Sequence, residues 1–243
     1  MSLVVTFNGK NLTKSFFLGE LSRPLPEFRD VTTQIEGADG ESFDGITVGV
    51  REVSFTLTAK AKTPRAVQNL ARKLMSWFAV STPKPLTFSD ELDGEGIQLV
   101  RYAVPTGSFD AEEFIRAGRW TCRFKQPDPY LYGKVHESVI LPAGASVKLA
   151  TGGNATTYAV AKAKMPNSAN SYTISNGKQS IEYAADFSGE TVTVDFEKQT
   201  VRVSPSISGA PGLQVGSRFF GMRGDEQLTA SHRTTLAWVE RWL

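Results

Sequence analysis

The sequence predicts a mostly-β chain in two parts: an α+β first half with one helix, and an antiparallel β-sandwich behind it. Three observations carry that prediction. Apolar residues recur at every second position in short runs along the whole chain, the period of half-buried strands. One stretch, residues 63–78, shows three- and four-residue spacing instead. The strand Trp120-Thr121-Cys122-Arg123-Phe124-Lys125 then runs into Pro127 and Pro129, which cannot donate to a sheet ladder, so pairing stops near mid-chain. The expected domains are residues 1–133 and 134–243, each with its own core.

In the first half, residues 3–7 form a strand closed by the turn Asn8-Gly9, and residues 16–21 form a second. Glu36-Gly37-Ala38-Asp39-Gly40 and Asp44-Gly45 carry turn chemistry between extended runs, which predicts a protruding hairpin within residues 29–60. Ile46, Val48 and Val50 alternate, and Val53, Phe55, Leu57 and Ala59 alternate on the opposite parity. A slip of one residue flips the buried face, so a bulge or bend is expected near Arg51-Glu52.

Thr63 is placed to cap the helix, and Pro64 fits its first position, where no amide bond is lost. Val67, Leu70, Ala71, Leu74, Trp77 and Phe78 make its apolar stripe. Residues 86–88, 97–104 and 114–124 return to strands. In the second half, strand-like runs fall at residues 138–141, 157–164, 171–174, 180–183, 191–196, 201–203, 219–222, 227–231 and 234–242. Turns such as Gly152-Gly153-Asn154, Asn176-Gly177 and Ser208-Gly209-Ala210-Pro211-Gly212 separate them, the spacing of an antiparallel sandwich.

Composition excludes several functions. Residues 1–133 hold 16 charges of each sign and the remainder 11 basic against 9 acidic, so no basic stripe exists to grip a phosphate backbone. No apolar run approaches the roughly 18 residues of a membrane span, and residues 1–7 read as a first strand rather than a signal peptide. The single cysteine, Cys122, alternates with Trp120 and Phe124 as a small core residue. With only His136 and His232 beside it, neither a disulfide framework nor a nitrogen- or sulfur-rich metal site is expected, and no cofactor is called for.

No phosphate-cradling glycine loop and no nucleophile elbow occur. Asp186, Glu190, Asp195 and Glu197 lie among turns, where carboxylates ordinarily bond to local amides rather than do acid–base work. Trp238 lies on the last strand with His232 and Arg233 nearby, which raises an alternative: a carbohydrate-binding accessory protein using the second domain. Leu236 on the same face favours core packing for Trp238. Arg223-Gly224-Asp225 reads as a turn.

The order of pieces resembles the distal tail protein family of bacteriophages with long non-contractile tails. The residues that carry the resemblance are Phe7-Asn8-Gly9-Lys10-Asn11-Leu12, the hairpin, the helix from Thr63-Pro64, Pro85-Leu86-Thr87-Phe88, Phe124 with Asp128-Pro129-Tyr130, Val192-Thr193-Val194-Asp195 with Thr200-Val201, and the ending Arg241-Trp242-Leu243. The resemblance implies a galectin-like second domain and a homohexameric ring at the virion tail tip, made in the host cytoplasm. It implies as partners the tail tube protein, a tail-associated hub or lysin protein, and receptor-binding or baseplate proteins, and no enzyme activity. A rotational ring needs two different patches on each subunit, and Arg29, Val31, Ile35, Ile46, Val48 and Arg51 are the candidates to line one of them.

Overall fold

The computed structural model of the chain describes residues 3–37, 39–187, 189–203, 207–208 and 212–243. The expected turn at Ser208-Gly209-Ala210-Pro211-Gly212 lies outside them except at its ends, as does Ala38. The chain is mostly β and forms two compact units, Met1–Leu131 with Leu243, and Tyr132–Trp242.

The first unit is built from β1 (Val5–Phe7), β2 (Lys10–Asn11), β3 (Phe16–Ser22), β4 (Phe28–Gln34), β5 (Glu41–Val48), β6 (Arg51–Ala59), α1 (Pro64–Phe78), β7 (Lys84–Phe88), β8 (Arg101–Thr106), α2 (Ala111–Ala117) and β9 (Arg119–Gln126). Seven strands make one sheet in the order β2-β1-β7-β8-β9-β6-β3, while β4 and β5 pair only with each other. Alternation places Val53, Phe55 and Leu57 of β6, and Cys122 and Phe124 of β9, in one core. Phe124 is its hub: the rings of Phe7, Phe55 and Phe78 stand 5.0, 5.4 and 5.3 Å from it. Burial also pushes the Cys122 thiol up, so it stays protonated. Helix α1 turns Val67, Ala71 and Leu74 to this core, and Thr63 Oγ1 accepts from the Ala66 amide at 3.3 Å as its cap.

Three expectations for this half need correction. The first half has two helices, because α2 occupies part of the run read as a strand over 114–124. Its signals are local: Asp110 Oδ1 accepts from the Glu112 and Glu113 amides at 2.9 Å, and Gly118 closes the helix at φ 67°. The hairpin is shorter than residues 29–60. It ends at Val48, and β6 is an interior strand between β9 and β3. The strand expected at 97–104 begins at Arg101.

The second unit holds β10 (Leu131–Leu141), β11 (Ser146–Ala150), β12 (Val160–Lys164), β13 (Ser171–Ser175), β14 (Ser180–Ala184), β15 (Thr191–Asp195), β16 (Thr200–Val203), β17 (Ile207–Ser208), β18 (Asp225–Ala230) and β19 (Thr234–Trp242). Two antiparallel sheets, β10-β19-β12-β15-β16-β17 and β11-β18-β13-β14, share one core. Ala161, Val192, Val194, Leu236 and Trp238 come from the first, and Tyr172, Ile174, Ile181 and Leu228 from the second. Two faces meeting in this way make a β-sandwich.

Here too the structure departs from the sequence reading. Lys134-Val135-His136-Glu137 lies inside β10 rather than between domains, so the expected cut after Gly133 falls within a strand. The sheet accepts this charged run because His136 bonds Glu240 Oε1 at 2.8 Å and stacks on Trp238 at 4.5 Å. Strand β11 is additional, and residues 219–222 form only a single bridge, Thr157 to Met222.

Candidate functional site

Among the described residues, the hairpin β4–β5 is the one strand pair of the first unit outside its sheet. Every residue of β4 is exposed, and in β5 only Gly45 and Val48 are partly covered. An isolated two-stranded hairpin is marginal in water, so its composition must be set for contact with something else.

Its register shows how. Phe28 faces Val48, Asp30 faces Ile46, and Val31 faces Gly45, but Thr32 faces Phe43. Asp44 is therefore an extra residue, a bulge, and Gly45 beside it takes φ 148°. Without the bulge, Phe43 and Ile46 would lie on opposite faces, because their numbers differ by an odd step. With it, Phe28, Phe43, Ile46 and Val48 share one face as an apolar stripe, with Asp30 and Thr32 beside them on β4. Phe28, Phe43 and Ile46 are 53, 63 and 62% exposed. The Asp44 side chain turns to the other face, where Oδ2 accepts from Thr33 Oγ1 at 2.5 Å.

The sequence candidates therefore divide. Ile46 and Val48 lie on the apolar face. Arg29 and Val31 lie on the polar face, where Arg29 Nη2 bonds Glu27 Oε2 at 2.6 Å. Ile35 stands exposed at the turn. Arg51 is not on the hairpin at all: it is buried at the start of β6. Phe28 and Phe43 complete the stripe and were not among the candidates. The signal for Phe43 was the Asp44-Gly45 pair, which marks a bulge when it falls inside a strand.

Arg51 belongs to a buried polar layer. It lies opposite Gln126 across β6 and β9, near Arg101, which is 1% exposed. Glu91 Oε1 accepts from Arg101 Nη2 and, at 3.1 Å, from Arg23 Nη1. The Arg23 and Arg101 guanidinium carbons sit 5.0 and 5.1 Å from the Phe88 ring centre. Burial and repulsion from Arg101 lower the Arg51 pKa, while burial lowers that of Arg101 against the pull of Glu91. Among the described residues, Arg51 Nε, Arg101 Nε and Nη1, and Gln126 Oε1 find no hydrogen-bond partner.

The carbohydrate candidates do not converge. Trp238 is 4% exposed and its Nε1 donates to the Thr151 carbonyl at 2.8 Å. His232 and Arg233 lie in the turn before β19, and Arg233 is exposed. Arg233 and Trp238 are five positions apart on extended chain, about 16 Å. Among the flagged carboxylates, Asp195 Oδ1 accepts from the Lys198 amide at 3.0 Å and Glu197 pairs with Arg241. Among the described residues, no group of three or more His, Cys, Asp or Glu could hold a metal ion, and no helix is long and apolar enough to cross a membrane.

The phage tail protein RIFT-related domain family matches residues 7–125, and the C-terminal domain of the siphovirus-type tail component matches residues 152–242. Together they span most of the chain. No curated protein matches it. Among solved structures, the Dit protein (gp 19.1) of phage SPP1, described as a hub of the adsorption apparatus in phages infecting Gram-positive bacteria, is similar over 100% of both chains, with a TM-score of 0.78 and 19% identity. A chain of the phage P2 baseplate, activated with Ca, is similar over 99% of this chain and 98% of its own, with a TM-score of 0.52 and 7% identity. The Sr-activated baseplate gives a TM-score of 0.52 and 8% identity, over 98 and 97%. At these identities the likeness establishes the fold.

Fold and family together define a structural component of a siphovirus-type phage tail. The chain belongs to the distal tail protein family of siphoviruses.

Proposed function

We propose that this protein is a non-catalytic hub that closes into a homohexameric ring at the end of the tail. The ring joins the tail tube protein to a tail-associated hub or lysin protein. Residues of the first unit form the ring, and the second unit is available to dock receptor-binding or baseplate proteins. The observation that carries this reading is the exposed hairpin, with its apolar stripe of Phe28, Phe43, Ile46 and Val48 and no sheet of its own to cover it. Such a stripe on a protruding element suits a heterologous contact between neighbours. The balanced charge of residues 1–133 suits a channel that lets DNA pass without holding it.

The carbohydrate reading loses its stacking platform, because Trp238 is committed to the core and to His136. Native mass spectrometry of the purified chain, with electron microscopy of isolated tail tips, tests the proposal. Six copies per tip are expected, and tips without a six-fold component from this chain refute it. A fragment of residues 132–243 should fold as a monomeric β protein, and residues 1–131 should keep whatever assembly the whole chain shows.

A further inference from the structure

We infer that the buried polar layer of the first unit binds a small monovalent anion, of the class of chloride, between Arg51 and Arg101. The site stands apart from the ring reading. Strands β8, β9 and β6 lie side by side in the sheet. Arg51 faces Gln126 across β6 and β9, and Val104 of β8 faces Lys125 of β9, so Arg101 falls at the same end of the sheet as that pair. All three side chains take the core-facing parity: Arg51 with Val53 and Phe55, Gln126 with Phe124, and Arg101 with Ala103. The two arginines start two strands apart, about 10 Å in the hydrogen-bonding direction, with Gln126 on the strand between them. Their guanidinium groups are close enough that Arg101 repels Arg51 and helps to lower its pKa.

The layer offers donors to such an ion. Arg101, Arg51 and Gln126 are 1, 6 and 0% exposed. Among the described residues, Arg51 Nε and Arg101 Nε and Nη1 are donors without an acceptor. The Phe88 ring lies 5.1 Å from the Arg101 guanidinium carbon. That ring covers a face of the group and leaves its N–H edge for an acceptor in plane. Gln126 Nε2 donates to the Tyr130 carbonyl at 2.7 Å, which fixes the amide and turns Oε1 the other way. Gln126 Oε1 and Glu91 Oε2 are acceptors without a donor among the described residues. They repel negative charge, which favours a small, singly charged ion over a phosphate.

Charge selects an anion rather than water alone. Asp90 accepts from Arg23 Nη1 and Nη2 at 2.9 and 2.6 Å, and Glu91 Oε1 accepts from Arg101 and Arg23. Arg23, Arg51 and Arg101 therefore stand against Asp90 and Glu91, which leaves one positive charge on Arg51. A buried lysine can escape that cost by losing its proton, but a guanidinium keeps its charge in a protein. A buried charge without a counter-charge is costly. Water would pair the free N–H groups and leave the charge in place. One monovalent anion accepts from both arginines and brings the layer to neutrality. It would also tie β6 to β8 across β9 at this end of the sheet.

Exchange of sodium gluconate for sodium chloride or bromide tests this on the full chain, at constant ionic strength so that screening does not change. Calorimetry should show the melting temperature rising by roughly 3 °C or more between about 2 and about 200 mM halide. Arg51→Met should abolish the rise, and in gluconate, where nothing offsets the Arg51 charge, this variant should melt no lower than wild type. Gln126→Glu, which supplies a negative charge from the facing strand, should abolish the rise as well. Crystals of the wild type grown in bromide should show an anomalous peak within hydrogen-bonding distance of Arg51 Nε and of Arg101. A halide response of equal size in either variant is a general salt effect and overturns the site. So does a wild-type melting temperature indifferent to halide, or a bromide crystal with only ordered water between the two arginines. None of these outcomes bears on whether the chain forms a ring.

Discussion

Thr33 Oγ1 donates to Asp44 Oδ2 at 2.5 Å across the hairpin, and this bond holds the bulged residue on the polar face while its neighbour Phe43 turns to the other. The extra residue thus fits between Phe43 and Ile46 without splitting the stripe. Deleting Asp44 should remove the bulge and, because Phe43 and Ile46 then stand two positions apart, keep both on one face. The expected result is an unchanged core melting temperature with assembly close to wild type, whereas Phe43→Asp with Ile46→Asp should weaken assembly at least tenfold. Thr33→Val, which removes only the bond, should weaken it less. Assembly unaffected by the Phe43→Asp and Ile46→Asp pair would show that the stripe is not the contact surface.

Trp238 fills the sandwich core, stacks on His136 and donates to the Thr151 carbonyl. Trp238→Ala should cost ~3–5 kcal/mol in denaturant unfolding. Trp238→Phe keeps the ring but leaves the Thr151 carbonyl without its donor, at ~1–3 kcal/mol. Glycan binding should be absent before and after. Glycan binding that Trp238→Ala abolishes with the fold intact would reverse the assignment.

Among the described residues, Arg51 is a buried cation with no direct ion pair, whereas Arg101 and Arg23 share Glu91. Arg51→Met should be neutral or stabilising by ~1 kcal/mol, because it removes an uncompensated charge. Glu91→Gln should destabilise by ~3–5 kcal/mol, because it strands Arg101. Urea unfolding measures both, and a larger loss for Arg51→Met than for Glu91→Gln would contradict this account of the layer.

Burial pushes the Tyr172 phenol from 10 up to about 12, partly offset by its hydrogen bond with Thr234 Oγ1 at 3.0 Å. The folded state therefore keeps the proton over a range in which the unfolded chain loses it. That contribution is complete below pH 10 and falls away as pH rises toward about 12. The total is on the order of 2–3 kcal/mol. Tyr172→Phe should flatten the unfolding curve of the second unit across this window, and an unaltered slope would refute the shift.

Most of the framework was legible in the sequence because it is set by near neighbours. The Thr63 cap, Pro64 and the spacing of Val67, Ala71 and Leu74 define α1 within a few residues, and period-2 runs mark β6, β9, β15 and β19. The cap Asp110 and the stop Gly118 were equally local; α2 went unread only because Phe114 was grouped with the strand that follows.

What the tertiary structure alone decided involves partners far apart in the chain. Arg51 looks like a surface residue by type, yet it is buried opposite Gln126 and beside a layer built from Glu91 and Arg101, 40 to 75 positions later. His136 becomes a strand residue through Trp238 and Glu240, about a hundred positions on. The stripe on the hairpin exists because pairing with β4 leaves Asp44 unmatched. Periodicity fixes which residues alternate. Which face they share, and whether a charge is buried, follows from the cross-strand register and from counter-charges that only the folded chain brings together.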